Sequence, residues 1–147
     1  MTATGEEITK RLEPSIRNFF LIDCIPIPKE VGDSLVEAIQ IFARQCHLRT
    51  PVSITIAANP IEINIGPHTL TMKLGNGTIG LTVLHNIFFN INELIKLHKN
   101  IQIACFLEEF VHGVMAVNDE LTTSHVVAAL YSGVKIVNGQ YVAHEYD

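Results

Sequence analysis

The sequence has no run of lysine or arginine, and its formal net charge at pH 7 is −5. Nucleic-acid binding through a basic patch is therefore not expected. Cysteines are also scarce: Cys24, Cys46 and Cys105 are far apart in the chain and form no Cys-x-x-Cys pair. An odd number of separated cysteines is typical of reduced thiols, so a cytoplasmic protein is predicted.

Long uninterrupted apolar segments are missing as well, because polar residues such as Asn90 and Glu108 break the longest candidates. No membrane-spanning segment is expected. The first residues, MTATGEEITKR, are polar and do not fit a signal peptide. The glycine patterns of nucleotide-binding loops do not occur, which argues against a nucleotide site.

Hydrophobic residues make up 48% of the chain and charged residues only 17%. This composition indicates a folded domain with a large buried fraction. With so few charges to cover its surface, the domain could form a homodimer.

The residues that are present show two kinds of hydrophobic periodicity. Apolar side chains repeat at helical spacing from Lys29 to Cys46, directly after the helix-start signal Pro28. Beyond Arg49 the period changes to two, which is typical of half-buried strands. The predicted strands are 52–56, 61–65, 70–74 and a longer one from Thr78 to Phe89, which follows a tight turn at Asn76-Gly77.

Three further helices are predicted at about 93–100, 101–117 and 120–131, followed by a tight turn at Asn138-Gly139. Residues 1–13 are predicted to form a loose or weakly helical arm, and residues 15–27 a short strand or irregular lead-in. The element order predicts a single α+β domain, 1–147. Its parts are an N-terminal helix, a small, mainly antiparallel sheet of about four strands, a central helix and a C-terminal helix.

The central helix contains an unusual group of ionisable residues. Its sequence, IQIACFLEEFVHGVMAV, places Glu108 and His112 about 40° apart on the helical wheel, and Glu109 and His112 about 60° apart. Cys105 falls in the same sector. If the sector faces solvent, it is a narrow polar stripe with an i, i+3 pair. If it is buried, unpaired carboxylates are costly, and a pocket for a metal or substrate becomes the better interpretation.

The stretch Glu-Glu-Phe-Val-His at 108–112 resembles the H-E-x-x-H motif of zincin-type zinc hydrolases, with glutamate in place of the first histidine. The segment from Gly80 to Asn90 looks like the edge strand of such a domain. Small zincins, including SprT-like proteins, follow this strand with a short helical link and the active-site helix, which the segment from Ala104 to Met115 resembles. The resemblance covers about residues 30–130 and implies a zincin-like fold.

The resemblance also implies roles for individual residues. Glu109 matches the catalytic general base, and His112 matches the second zinc ligand. Glu108 occupies the position of the first ligand, where a carboxylate can still bind zinc. The third ligand has no family motif here, and the candidates, in falling order, are His125, Glu120 and Asp119.

Three functional hypotheses remain open. The first is an atypical zinc-dependent peptidase in which Glu109 activates water. The second, which is favoured, is a zincin-like domain that has lost or altered its metal site and serves as a binding or regulatory module for a protein or peptide. The third is a structural domain in which the motif is a coincidence. Zinc is the implied cofactor on the first hypothesis, and no cofactor is implied if the site is degenerate.

Other chemical sites have less support in the sequence. A di-iron site needs two Glu-x-x-His helices, and Glu109-x-x-His112 is the only such pair. Cys105 on an apolar helix is read as a small core residue, not as a nucleophile. Among the scattered histidines, His85 is the one expected beside the cleft, because it falls on the predicted edge strand.

Overall fold

The computed structural model describes residues 1–144 and confirms the α+β class. The helices of this part of the chain are α1 (Gly5–Lys10), α2 (Lys29–Gln45), α3 (Ile91–Leu94), α4 (Lys99–Val114) and α5 (Glu120–Leu130). Its strands are β1 (Thr2–Ala3), β2 (Phe20–Cys24), β3 (Ile27–Pro28), β4 (Val52–Ala57), β5 (Ile61–Ile65), β6 (His68–Met72), β7 (Gly80–Val83), β8 (Asn86–Asn90), β9 (Val134–Val137) and β10 (Gln140–Ala143).

The main sheet has four strands in the order β2-β4-β8-β7. The prediction of a mainly antiparallel sheet was wrong for it, because β2, β4 and β8 are parallel and only the edge strand β7 is antiparallel. The physical reason is the connection between β2 and β4. Helix α2 links them, and a helical crossover brings the chain back in its original direction. Of the two alternatives predicted for 15–27, the short strand is confirmed, because β2 lies there and forms one edge of this sheet.

The predicted single strand from Thr78 to Phe89 was also wrong. The segment forms the antiparallel hairpin of β7 and β8, in which Val83 lies opposite Asn86. Leu84, at the turn, has a positive φ of 56°, a conformation that ends an extended strand. The hairpin turn places His85 at the end of β7 instead of in the middle of a strand.

Helices α2 and α4 cover one face of the main sheet. Phe110 of α4 is fully buried, and its ring lies edge-on to Phe20 of β2 and to Phe42 of α2, at 5.7 Å in each case. A third edge-on contact joins Phe89 of β8 and Phe106 of α4 at 4.7 Å. Edge-to-face aromatic packing of this kind adds to the free energy of apolar burial. Helix α4 is therefore fixed against the sheet by its aromatic face.

The N-terminal residues are part of this packed structure. Thr4 and Glu7 form a reciprocal capping box that starts α1. Ile8 of α1 and Leu12, two residues beyond the end of the helix, are buried in the core. Within the predicted arm at 1–13, Gly5–Lys10 form a helix whose Ile8 side chain is buried in the core.

The hairpin of β9 and β10 depends on the predicted tight turn. Asn138 and Gly139 both have positive φ values, 53° and 77°, which matches the preferred two-residue hairpin turn. We expect Gly139→Ala to lower the free energy of unfolding by about 1 kcal/mol, because alanine is strained at this φ. Urea denaturation measures this change, and Gly75→Ala, at a glycine outside the positive-φ region, is the control. Equal losses in the two variants would contradict the role of the turn.

Candidate functional site

Helix α4 approaches the edge strand β7 closely because two glycines leave room between them. A Cβ atom on Gly113 would lie 3.3 Å from Ile87 Cδ1 and 3.4 Å from Thr82 Cγ2. A Cβ atom on Gly80 would lie 3.0 Å from Glu109 Cγ. Such distances are at or below ordinary van der Waals contact, so larger residues would push the helix and the strand apart.

Glu109 points toward this junction and is buried, with only 8% of its surface exposed. The Thr82 hydroxyl donates a hydrogen bond of 2.5 Å to its Oε2 atom. Burial raises the pKa of Glu109, while the Thr82 hydrogen bond and the neighbouring His112 oppose that increase. Of the two alternatives for this sector, the solvent-facing stripe therefore does not hold for Glu109, because strand β7 covers it.

His112 is held in a defined orientation. Its Nδ1 atom lies 2.6 Å from the carbonyl oxygen of Val117, which can only accept a hydrogen bond, so Nδ1 carries the hydrogen. Its Nε2 atom lies 3.5 Å from Glu120 Oε1. The positive φ of Ala116, 56°, turns the chain after α4 and brings the Val117 carbonyl back toward the histidine. This turn also ends α4 before the predicted limit at residue 117.

Glu109 and His112 line the same cavity, which has a volume of about 470 Å³ and lies between β7, the C-terminal half of α4 and the start of α5. Polar side chains make up much of its wall: Thr82, His85, Glu109, His112, Asn118 and Glu120. The expected position of His85 beside the cleft agrees with this arrangement, although it reaches the cavity from a turn and not from a strand.

Glu108, the predicted first zinc ligand, does not line this cavity. The Tyr141 hydroxyl of β10 donates a hydrogen bond of 3.0 Å to its Oε1 atom. Burial raises the pKa of Glu108, an effect that the Tyr141 hydrogen bond reduces. Successive helical positions differ by about 100°, so β7 covers one of the two glutamates and β10 the other.

The three candidates for a third ligand lie in different environments. Glu120 lines the cavity, close to His112. Asp119 caps α5 through a 2.7 Å hydrogen bond from the Thr122 backbone NH, so its carboxylate is already engaged. His125 is exposed on α5 and does not line the cavity. His125 was the first candidate for the third ligand on sequence grounds, whereas in the structure Glu120 is the candidate that lies at the cavity.

The donor set does not fit a zinc site. Within residues 1–144, no group of three His, Cys, Asp or Glu side chains is placed so that it could hold a metal ion. A zinc site needs three protein ligands in addition to the open position. Here Glu108, the predicted first ligand, is hydrogen-bonded to Tyr141, and His125, the first-ranked candidate for the third ligand, lies outside the cavity.

Sequence reasoning missed two residues of the site, Thr82 and Tyr141. Thr82 alternates with Leu81 and Val83, so the period of two could have placed it on the helix side of β7. No local sequence pattern predicts the contact of Tyr141 with Glu108, because the two residues are 33 positions apart. The interpretation of Cys105 as a core residue agrees with its burial, which raises the pKa of its thiol to about 12.

Comparisons with known proteins give no further assignment: no protein-family model, no curated protein and no solved structure matches this chain. In the described part of the chain, no helix is both long enough and apolar enough to cross a bilayer.

Proposed function

We propose that this chain is a zincin-like domain that has lost its metal site and acts as a non-catalytic binding module for a peptide or protein. One observation carries the proposal. Glu109 and His112 face a common cavity, while Glu108, at the first-ligand position, is turned away and bound by Tyr141. Glu109 and His112, which match two of the three motif positions, therefore share the cavity. Glu108, at the third, is engaged in a hydrogen bond with Tyr141.

The order of the elements supports the zincin-like part of the proposal. The edge strand β7 packs beside α4, and the short helix α3 separates the β7–β8 hairpin from it. The resemblance implies this order of edge strand, short helical link and active-site helix. A module on this plan would keep the cleft of a peptidase without its metal.

The edge strand also supports a peptide as the ligand. Among the described strands, β7 pairs only with β8, so its outer edge is free to accept another strand. Extended peptides bind to such edges through main-chain hydrogen bonds, and neighbouring pockets select their side chains. The cavity lies directly beside Gly80, Leu81 and Thr82 of this strand.

The alternative is an atypical zinc-dependent peptidase with Glu109 as general base and Glu108 and His112 as metal ligands. The observation that favours it is the orientation of His112. A histidine whose Nδ1–H is fixed by a carbonyl group keeps Nε2 available, which is the usual arrangement of a metal-binding imidazole.

Zinc binding separates these two functions. We expect wild-type protein, purified without chelator or histidine tag, to bind no stoichiometric zinc in elemental analysis and calorimetry. The Glu108→His variant should bind zinc at least about tenfold more tightly than the wild type, because it places two histidines at i and i+4 on one helix. Glu108→Gln, which retains an acceptor for Tyr141, is the matched control and should behave like the wild type. Stoichiometric wild-type zinc that is lost in His112→Ala would instead establish the alternative.

A further inference from the structure

The cavity beside β7 is rich in hydrogen-bond acceptors. Glu109 lines the cavity with a buried carboxylate, whose Oε2 atom accepts a hydrogen bond from Thr82. Glu120 adds a second carboxylate, whose Oε1 atom lies 3.5 Å from His112 Nε2. His112 also lines the cavity and lies beside both of these carboxylates.

No lysine or arginine balances these carboxylates. None of the residues described as lining the cavity is a lysine or arginine. The side-chain ion pairs that lysine and arginine form within residues 1–144 involve other carboxylates, those of Glu6, Asp33, Glu37 and Glu93. A carboxylate as buried as Glu109 is costly without a cation, and a ligand that supplies one offsets that cost.

The position of the acceptors relative to β7 indicates how such a ligand would lie. Thr82 lies on β7 and contacts Glu109, so the carboxylate is directly beside the strand. A peptide that adds to the free edge of β7 projects alternate side chains to the two faces of the sheet. One of these faces is the side of α4, where Glu109 and His112 lie.

We propose that the cavity receives the side chain of a basic residue, lysine or arginine, from an extended peptide that lies along β7. The inference rests on the proposed binding function and adds the chemistry of its ligand. An ammonium group has three hydrogen-bond donors and a guanidinium group has five, and neither has an acceptor. Both therefore complement a cavity whose wall carries the carboxylates of Glu109 and Glu120.

The test uses fluorescein-labelled peptides of one design, Thr-Val-X-Val-Thr with blocked ends, in which X is lysine, arginine, norleucine or glutamate. Fluorescence anisotropy of the full chain measures their affinities. We expect the lysine and arginine peptides to bind at least about tenfold more tightly than the norleucine peptide, because close charge pairs at interfaces couple at about 1.5 kcal/mol or more. Amide chemical shifts of Gly80, Leu81 and Thr82 in NMR should report the strand contact.

Matched variants test the two carboxylates separately. Glu109→Gln should remove most of the advantage of lysine over norleucine, since Gln keeps the shape and the Thr82 hydrogen bond but not the charge. Glu120→Gln should reduce it about threefold to fivefold, because a carboxylate that is 78% exposed forms weaker ion pairs. Because the Glu120 side chain is exposed, this substitution is not expected to affect folding. Glu6→Gln, on the surface of α1 and away from the cavity lining, should leave the advantage unchanged.

The outcomes separate this inference from the proposed function. Equal affinity for lysine and norleucine peptides, or a preference for glutamate, overturns the basic-residue inference and leaves the peptide-binding module standing. An advantage that survives in both Glu109→Gln and Glu120→Gln also overturns it. If none of the four peptides binds, the inference and the peptide-binding function both fail.

Discussion

Phe110→Ala is expected to lower the free energy of unfolding by about 3–5 kcal/mol, the range for removing a fully buried aromatic side chain. Phe110 is entirely buried, and its ring contacts Phe20 and Phe42 edge-on. The substitution would therefore remove contacts to β2 and to α2 together. It would also leave a cavity where α4 joins the two, since packed interiors relax only partly around a deleted group.

Phe88→Ala is the matched control for this prediction. Phe88 is one residue before Phe89 on β8, so it lies on the opposite face of the sheet, and it is only partly buried. We expect a clearly smaller loss there, because less apolar surface returns to water and the remaining space is open to solvent. Chemical denaturation of both variants measures the difference. Equal losses would contradict the assignment of the core to the α2–α4 side of the sheet.

Glu109→Gln is expected to stabilise the protein at pH 7, by roughly 0.5–2 kcal/mol, while it weakens the binding of basic peptides. Burial raises the pKa of Glu109 above its ordinary value of 4.5, so the ionised carboxylate is less favourable in the folded state than in the unfolded state. Glutamine avoids that cost and can still accept the hydrogen bond from Thr82. A group that reduces stability in order to bind a ligand is typical of a functional site.

The sign of the pH dependence follows from the raised pKa. The contribution of Glu109 to stability is fully present below the unfolded value of about 4.5 and is lost as the pH rises through the higher folded pKa. The advantage of Glu109→Gln should therefore be absent near pH 4 and grow toward pH 7. His112, Glu108 and Glu120 also interact with this carboxylate, so the difference between variant and wild type must be compared at each pH.

Urea denaturation at pH 4, 5.5 and 7 checks this expectation. Glu6→Gln controls for the loss of one negative charge at an exposed position, and it should show no such growth with pH. A Glu109→Gln variant that is less stable than wild type at pH 7 would show that the ionised carboxylate stabilises the fold. That result would remove the reason for expecting an external cation in the cavity.

The sequence by itself determined the features that depend on neighbouring residues. Helical spacing placed α2 and α5 within one or two residues of their ends, and a period of two located β4 and β5. Asn138-Gly139 fixed a hairpin turn because both positions need positive φ. The sequence also identified Glu109 and His112 as a pair on one side of α4, since the helical repeat sets the angle between them.

Only the tertiary structure decided which surface covers each side of α4 and in which direction the strands run. Tyr141 binds Glu108 across 33 residues of chain, and Thr82 binds Glu109 across 27, so no local pattern separates the two glutamates. The direction of β2 relative to β4 likewise depends on how α2 crosses between them. Hydrophobic periodicity indicates which residues are buried, whereas contacts between distant segments determine which residues they pack against.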